Sequence, residues 1–177
     1  YILGDYNHAL TYYIDSHKIR EEIGDKQGIA NCLNNLGLVF QMQKDTELAK
    51  KYHFRSIAIC NEIGDSVTLG RNYFNMSIVF ENTQEWDSAV YYVEKAMDLQ
   101  RKTGDEWSLL MSYNRKGENL WFLGEYKKAI GAYSYVTESN YGVNTWELCF
   151  AYSGLSKSFK ELGQPDHSND DFVLQSL

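Results

Sequence analysis

The chain has 177 residues, 44% of them apolar, with 14 Tyr, 8 Phe and 4 Trp, enough for one domain with a substantial core and too many for disorder by composition. A single Pro, Pro165, and few runs of β-branched residues point to an all-helical chain, because helix interiors tolerate Pro least. The net charge of −7 argues against nucleic acid as a partner, since phosphate backbones attract Lys and Arg and no Lys/Arg run offers a local exception.

The elements follow in order. Residues 1–23 predict one helix, with Tyr6, Ala9 and Tyr13 on one face and Gly4-Asp5 as a tight turn before it. Gly24-Asp25 opens a hairpin over 25–63, whose first helix carries Ile29, Leu33, Leu36 and Phe40 and whose second carries Ala49, His53 and Ser56. Gly64-Asp65 opens the next, 65–103, with Leu69, Tyr73, Met76 and Phe80, then Trp86, Ala89, Val93 and Ala96. Gly104-Asp105 opens a third, 105–140, with Leu109, Tyr113 and Leu120, then Tyr126, Ala129, Tyr133 and Val136. A fourth, 142–177, is shortened by one residue and carries Leu148, Tyr152, Leu155 and Phe159 before Gly163 and a second helix started by Pro165. Steps of three and four place each set on one helical face.

The elements repeat. Gly24, Gly64 and Gly104 recur every 40 residues, as do Ala9, Ala49, Ala89 and Ala129, and Gly37, Ser77 and Gly117 each precede one of those alanines by 12. Gly64 can end one helix in the left-handed conformation while Asp65 caps the next, and Gly24-Asp25 and Gly104-Asp105 can do the same. Small residues at Gly37, Ser77, Gly117, Ser156 and the alanines let paired helices approach closely. Each helix is expected to run about 18 residues, roughly 27 Å.

Leu36-Gly37, Phe40, Ala49 and Ser56, with their counterparts, resemble the tetratricopeptide repeat over nearly the whole chain. The resemblance implies an all-α, tetratricopeptide-type α-solenoid of antiparallel helical hairpins wound as a right-handed superhelix. The family repeat is about 34 residues, whereas this one is 40, so both helices look extended. The segment from Lys18 to Gly37 is similar to the long repeats of bacterial sensor kinases and transcriptional regulators, and to those of kinesin light chain and of cell-polarity adaptors that bind extended peptides. Lys116 departs from the pattern, standing where the other units have Leu36, Met76 and Leu155. The opening half-repeat, 1–23, marks the chain as an expected fragment of a longer protein.

Catalytic and metal chemistry find no pattern to attach to. His8, His17, His53 and His167 are scattered, without His-x-x-x-His or His-Glu-x-x-His spacing. No nucleophile elbow, dinucleotide fingerprint or phosphate-binding loop occurs, so no cofactor and no enzymatic activity are expected. Cys32, Cys60 and Cys149 lack Cys-x-x-Cys spacing and read as small core residues in a reducing compartment. No stretch is long enough to span a membrane. A cytoplasmic setting is expected, or a periplasmic one if the chain is the sensor region of a membrane kinase.

In repeat stacks the first helix of each hairpin lines the concave face. Helical register places Asn31, Asn34, Asn35, Leu38, Gln41 and Met42 there in the first full unit, and Arg71, Phe74, Asn75, Ile78, Glu81 and Asn82 in the next. The third contributes Met111, Asn114, Arg115, Glu118, Trp121 and Phe122. Amides can donate and accept together, which suits the backbone of an extended peptide. The resemblance assigns that backbone-holding place to Asn35 and Asn75. Arg71 and Arg115 suit a carboxylate, and Phe74, Trp121 and Phe122 suit apolar pockets. Each has a structural alternative. Asn34 or Asn35 can bond to a neighbouring helix, Arg71 can balance Glu81, and Trp121 and Phe122 can pack between units. The expected role is a scaffold for a protein or peptide partner, in the sensory or interaction region of a bacterial signalling or regulatory protein. A homodimerisation module and a regulatory segment of an enzyme such as a histidine kinase are the alternatives.

Overall fold

The computed structural model of the chain describes residues 6–141 and 145–163. The Gly4-Asp5 turn, the helix expected after Pro165, and His167 lie outside the described residues. Among the described residues all regular structure is helical: α1 (Tyr6–Glu22), α2 (Lys26–Met42), α3 (Thr46–Ile63), α4 (Ser66–Asn82), α5 (Trp86–Thr103), α6 (Glu106–Phe122), α7 (Tyr126–Thr137) and α8 (Thr145–Glu161). Helices α2, α4 and α6 begin at 26, 66 and 106, and α3, α5 and α7 at 46, 86 and 126.

Local chemistry fixes these starts. The carboxylates of Asp25, Asp65 and Asp105 accept from the amides of Gly28, Thr68 and Ser108, three residues into α2, α4 and α6. Asp45 caps α3 in the same way through the amide of Leu48. Helix α3 stops where Gly64 turns left-handed at φ 74°, and Asp65 N–H then closes onto the carbonyl of Cys60. The alternate turns use Lys44 (φ 62°), Gln84 (φ 59°) and Gly124 (φ 77°) at the same left-handed position. Two of those three are not glycine.

The chain divides into two compact units, Tyr1–Gln84 and Glu85–Leu177. In the first, α1 packs on α2, α2 on α3, α3 on α4, and α2 also touches α4. Joined by short turns, consecutive helices run antiparallel. Leu33, Leu36, Met76 and Val79 are fully enclosed there, with Ala49 and Cys60. In the second unit α5 packs on α6, α6 on α7, α7 on α8, and α6 also touches α8. Its core gathers Leu110, Leu120, Ala129, Tyr133, Val136, Ala151 and Leu155. Cys32 and Cys60 are buried, as core cysteines should be, but Cys149 is exposed on α8. Among the described residues no helix is long and apolar enough to cross a membrane.

Candidate functional site

In the first unit the expected binding positions lie on α2 and α4 and divide by burial. Asn34 and Asn75 are buried, and the amide of Asn75 donates to Asn34 Oδ1 at 3.0 Å. Asn31 Oδ1 accepts from the hydroxyl of Thr68 at 3.3 Å. These amides join neighbouring helices, which satisfies groups that would be costly to bury alone. Asn35, Leu38, Phe74 and Ile78 are half-buried, and Arg71 is exposed.

At the C-terminal ends of these helices the surface opens. Leu38, Val39, Gln41 and Met42 of α2, with Asn82 of α4, line a largely apolar cleft of about 350 Å³. Met42 is 55% exposed. Gln41 Oε1 is buried and accepts no hydrogen bond among the described residues. An apolar wall beside the exposed amide of Asn82 can take a side chain together with the backbone next to it.

In the second unit Asn114 is buried and donates to Glu147 of α8 twice, to its carbonyl at 3.0 Å and its carboxylate at 2.8 Å. Arg115, Glu118 and Trp121 are half-buried. Phe122 stacks on Trp86 with centroids 4.2 Å apart, and Trp121 stands edge-on to Phe122 at 5.2 Å. Phe122 thus packs α6 against α5, the structural role weighed for it, while Trp121 lies against the core cluster and near Tyr126 of α7. Lys116 reaches Glu94 of α5 at 2.7 Å.

Register on the sequence did not reveal a polar network inside the first unit. Ser56 donates to the carbonyl of Ala30 at 2.7 Å, and Asn72 donates to Ser56 at 2.8 Å and to the carbonyl of Thr68 at 2.9 Å. Asn72 Oδ1 meets His53 Nδ1 at 3.2 Å. The network ties α2, α3 and α4 together. Burial lowers the His53 pKa from its usual 6.5 to about 4, against a smaller upward pull from the Asn72 bond. The ring is therefore neutral at pH 7. Its signal in the sequence was polar residues at apolar phase, His53 and Ser56 on the buried stripe of α3. Among the described residues no group of three or more His, Cys, Asp or Glu comes together as metal ligands would.

Stacked, capped helical hairpins of regular period define the class of repeat-built helical scaffolds. Residues 1–62 match the family model of the tetratricopeptide repeat. The fold is similar to that of BtubC (BKLC) from P. vanneervenii, with a TM-score of 0.84 at 14% identity over 98% of this chain and 75% of that one. It is also similar to the nearly identical TPR-like repeats of a proposed kinesin light chain from Podosopora anserina, with a TM-score of 0.75 at 14% identity over 94% of this chain and 83% of that one. At such identity the likeness speaks to the fold alone. A comparison with curated proteins returns no match. The match over residues 1–62 and the likeness of fold over nearly the whole chain support a tetratricopeptide-type repeat architecture.

Proposed function

We propose that the chain holds an extended peptide segment of a partner protein on the face formed by α2 and α4. The observation that carries this reading is the largely apolar cleft at Leu38, Gln41, Met42 and Asn82. An apolar peptide side chain would cover Leu38 and Met42 while the exposed amide of Asn82 meets the adjacent backbone. Asn35, Arg71, Phe74 and Ile78 lie on the same helices, and the exposed Arg71 would pair with a peptide carboxylate. Asn34 and Asn75 support this face by fixing α2 to α4. Helix α6 offers Arg115, Glu118 and Trp121 at corresponding positions, with Asn114 fixing it to α8. The likeness of the segment Lys18–Gly37 to long-repeat regions motivates a wider setting, the sensory or interaction region of a bacterial signalling or regulatory protein. The free cysteines suit a cytoplasmic one.

Selection of peptides from a random display library against the chain tests the proposal. Selected peptides are expected to bind Met42→Glu at least about tenfold more weakly, because a carboxylate then sits in the apolar cleft. The helical circular dichroism of that variant should be unchanged, since Met42 is exposed. Equal binding to the variant, or a library that yields no binders, would overturn it.

A second reading has its own observation. Tyr12 and Ile19, on one face of α1, and Ile23 just after the helix are exposed, and α1 has no buried residue. A symmetric dimer could cover that face. Sedimentation across a concentration series decides it, and a monomer at the highest concentration removes it.

A further inference from the structure

Between Gly28 and Met42 helix α2 carries no charged residue, and in α4 the charged residues are Arg71 and Glu81. Glu81 lies ten residues beyond Arg71 on the same helix, about 15 Å along it and too far to neutralise it. Arg71 is exposed and makes no hydrogen bond or ion pair among the described residues. Lys26, the other cation of the two helices, is held by Glu62 of α3. The α2/α4 face thus has one cation without a partner. The group that suits it is a carboxylate, which the planar guanidinium can take through two parallel hydrogen bonds.

Helix geometry sets the distance from that cation to the apolar cleft. Helices α2 and α4 run in the same direction, and the Asn34–Asn75 and Asn31–Thr68 bonds keep equal repeat positions about level. Leu38 is therefore level with Ile78, and Met42 with Asn82, seven and eleven residues beyond Arg71. At a rise of about 1.5 Å per residue the cleft runs from about 10 Å to about 16 Å beyond Arg71 along the helices. An extended peptide advances about 3.3 Å per residue, so the span takes about three to five residues. Successive side chains of an extended peptide point to opposite sides, so two that both face the protein are an even number of residues apart, and about four is the even choice in that range. Asn35 lies level with the middle of the span, and its half-buried amide can pair with peptide backbone there.

We infer, resting on the α2/α4 reading, that the partner segment is an extended peptide with an aspartate or glutamate four residues from an aliphatic residue. The carboxylate sits on Arg71 and the aliphatic side chain in the cleft. Arg71 sets the specificity of the face, while Leu38 and Met42 supply contact area. A helical partner needs a different spacing, because at about 1.5 Å per residue the same span takes about seven to eleven residues.

A display library with one fixed leucine and about a dozen randomised positions on each side, selected against the full chain, tests the spacing. Aspartate and glutamate are expected to be enriched at least about threefold at the fourth position from the leucine, on one side, and not at the third or fifth. Selection against Arg71→Glu should replace that enrichment with lysine and arginine at the same position. Arg71 is exposed, so the helical circular dichroism of the variant should match that of the parent. A peptide selected on the parent chain should bind Arg71→Glu at least about tenfold more weakly, and recover when its carboxylate is changed to lysine. Binders that depend on Met42 but show no acidic position would overturn this inference and leave the α2/α4 reading standing. Acidic enrichment at another spacing, about seven to eleven positions marking a helical ligand, or enrichment unchanged by Arg71→Glu, would overturn it as well. A library without binders would overturn both.

Discussion

His53 in the first unit and Tyr133 in the second occupy the same repeat position, two 40-residue periods apart, and each fills the space beneath a glycine of the preceding helix. A Cβ on Gly37 would come within 2.7 Å of the His53 ring, and a Cβ on Gly117 within 2.7 Å of the Tyr133 ring. From there the units diverge. His53 belongs to the Ala30–Ser56–Asn72 chain of hydrogen bonds, and its Nε2 is buried without a hydrogen-bond partner among the described residues. Tyr133 is enclosed by the apolar cluster of Leu110, Leu120, Val136 and Leu155, with Gly154 of α8 closing on its other side. Burial pushes its hydroxyl pKa above the usual range, with a smaller push from Glu118. The repeat dictates where a large side chain must fill space and leaves the chemistry of that side chain to each unit. At this one position the first unit relies on directional bonds and the second on contact area.

The largest test removes the area. Tyr133→Ala should cost about 3–5 kcal/mol, the range for emptying a well-packed aromatic site. Stability in a repeat stack is close to a sum of local terms, so hydrogen exchange at α7 and α8 amides should accelerate far more than at α2 and α3. Equal acceleration in both units would show that they unfold as one and that the local comparison has no energetic meaning.

The next test uses the proton. The folded His53 ring titrates at about 4 and the unfolded one near 6.5. Between those values the unfolded chain binds more protons, so the contribution of the neutral ring is full above about pH 6.5 and is lost as pH falls toward 4. The difference of roughly 2.5 pH units corresponds to about 3 kcal/mol. Urea unfolding from pH 7.5 to 4.5 should show that decline, and His53→Tyr, which places the residue of the second unit in the first, should flatten it. A variant that keeps the full slope would assign the acid sensitivity to other groups.

Legibility in the sequence follows the same division. Gly-Asp pairs announce helix ends because one residue allows the left-handed turn and the next supplies a cap, and Asp25, Asp65 and Asp105 do cap α2, α4 and α6. Helical register also placed Leu38, Gln41, Met42 and Asn82 among the surface positions that the cleft gathers. The Asn34–Asn75 bond was not legible, because an amide shows its capacity in the sequence but not its partner 41 residues away. Gly154 carries no signal in the sequence either. Its role comes from the approach of Tyr133, where a Cβ would lie 2.2 Å from the ring, and no local pattern records that approach. Lys44 and Gln84 gave no turn signal, since neither residue type favours positive φ.

That last silence yields the smallest prediction and the sharpest contrast of sign. Lys44 and Gly124 hold the same turn position in the two units, at φ 62° and 77°. The turn is closed by equivalent bonds, Asp45 N–H to the Phe40 carbonyl and Glu125 N–H to the Leu120 carbonyl, each 2.9 Å. Those bonds impose the left-handed conformation whatever the side chain. A Cβ there costs about 1–2 kcal/mol, whereas glycine's extra freedom in the unfolded chain costs about 0.5–1 kcal/mol. The balance favours glycine slightly. Lys44→Gly should therefore stabilise the first unit by about 0.5–1 kcal/mol, and Gly124→Lys should destabilise the second by a similar amount. Urea midpoints measured for both variants beside the parent chain test this. Changes of the same sign would mean that side-chain contacts at the turn outweigh backbone conformation, and that the two units differ there in more than one residue.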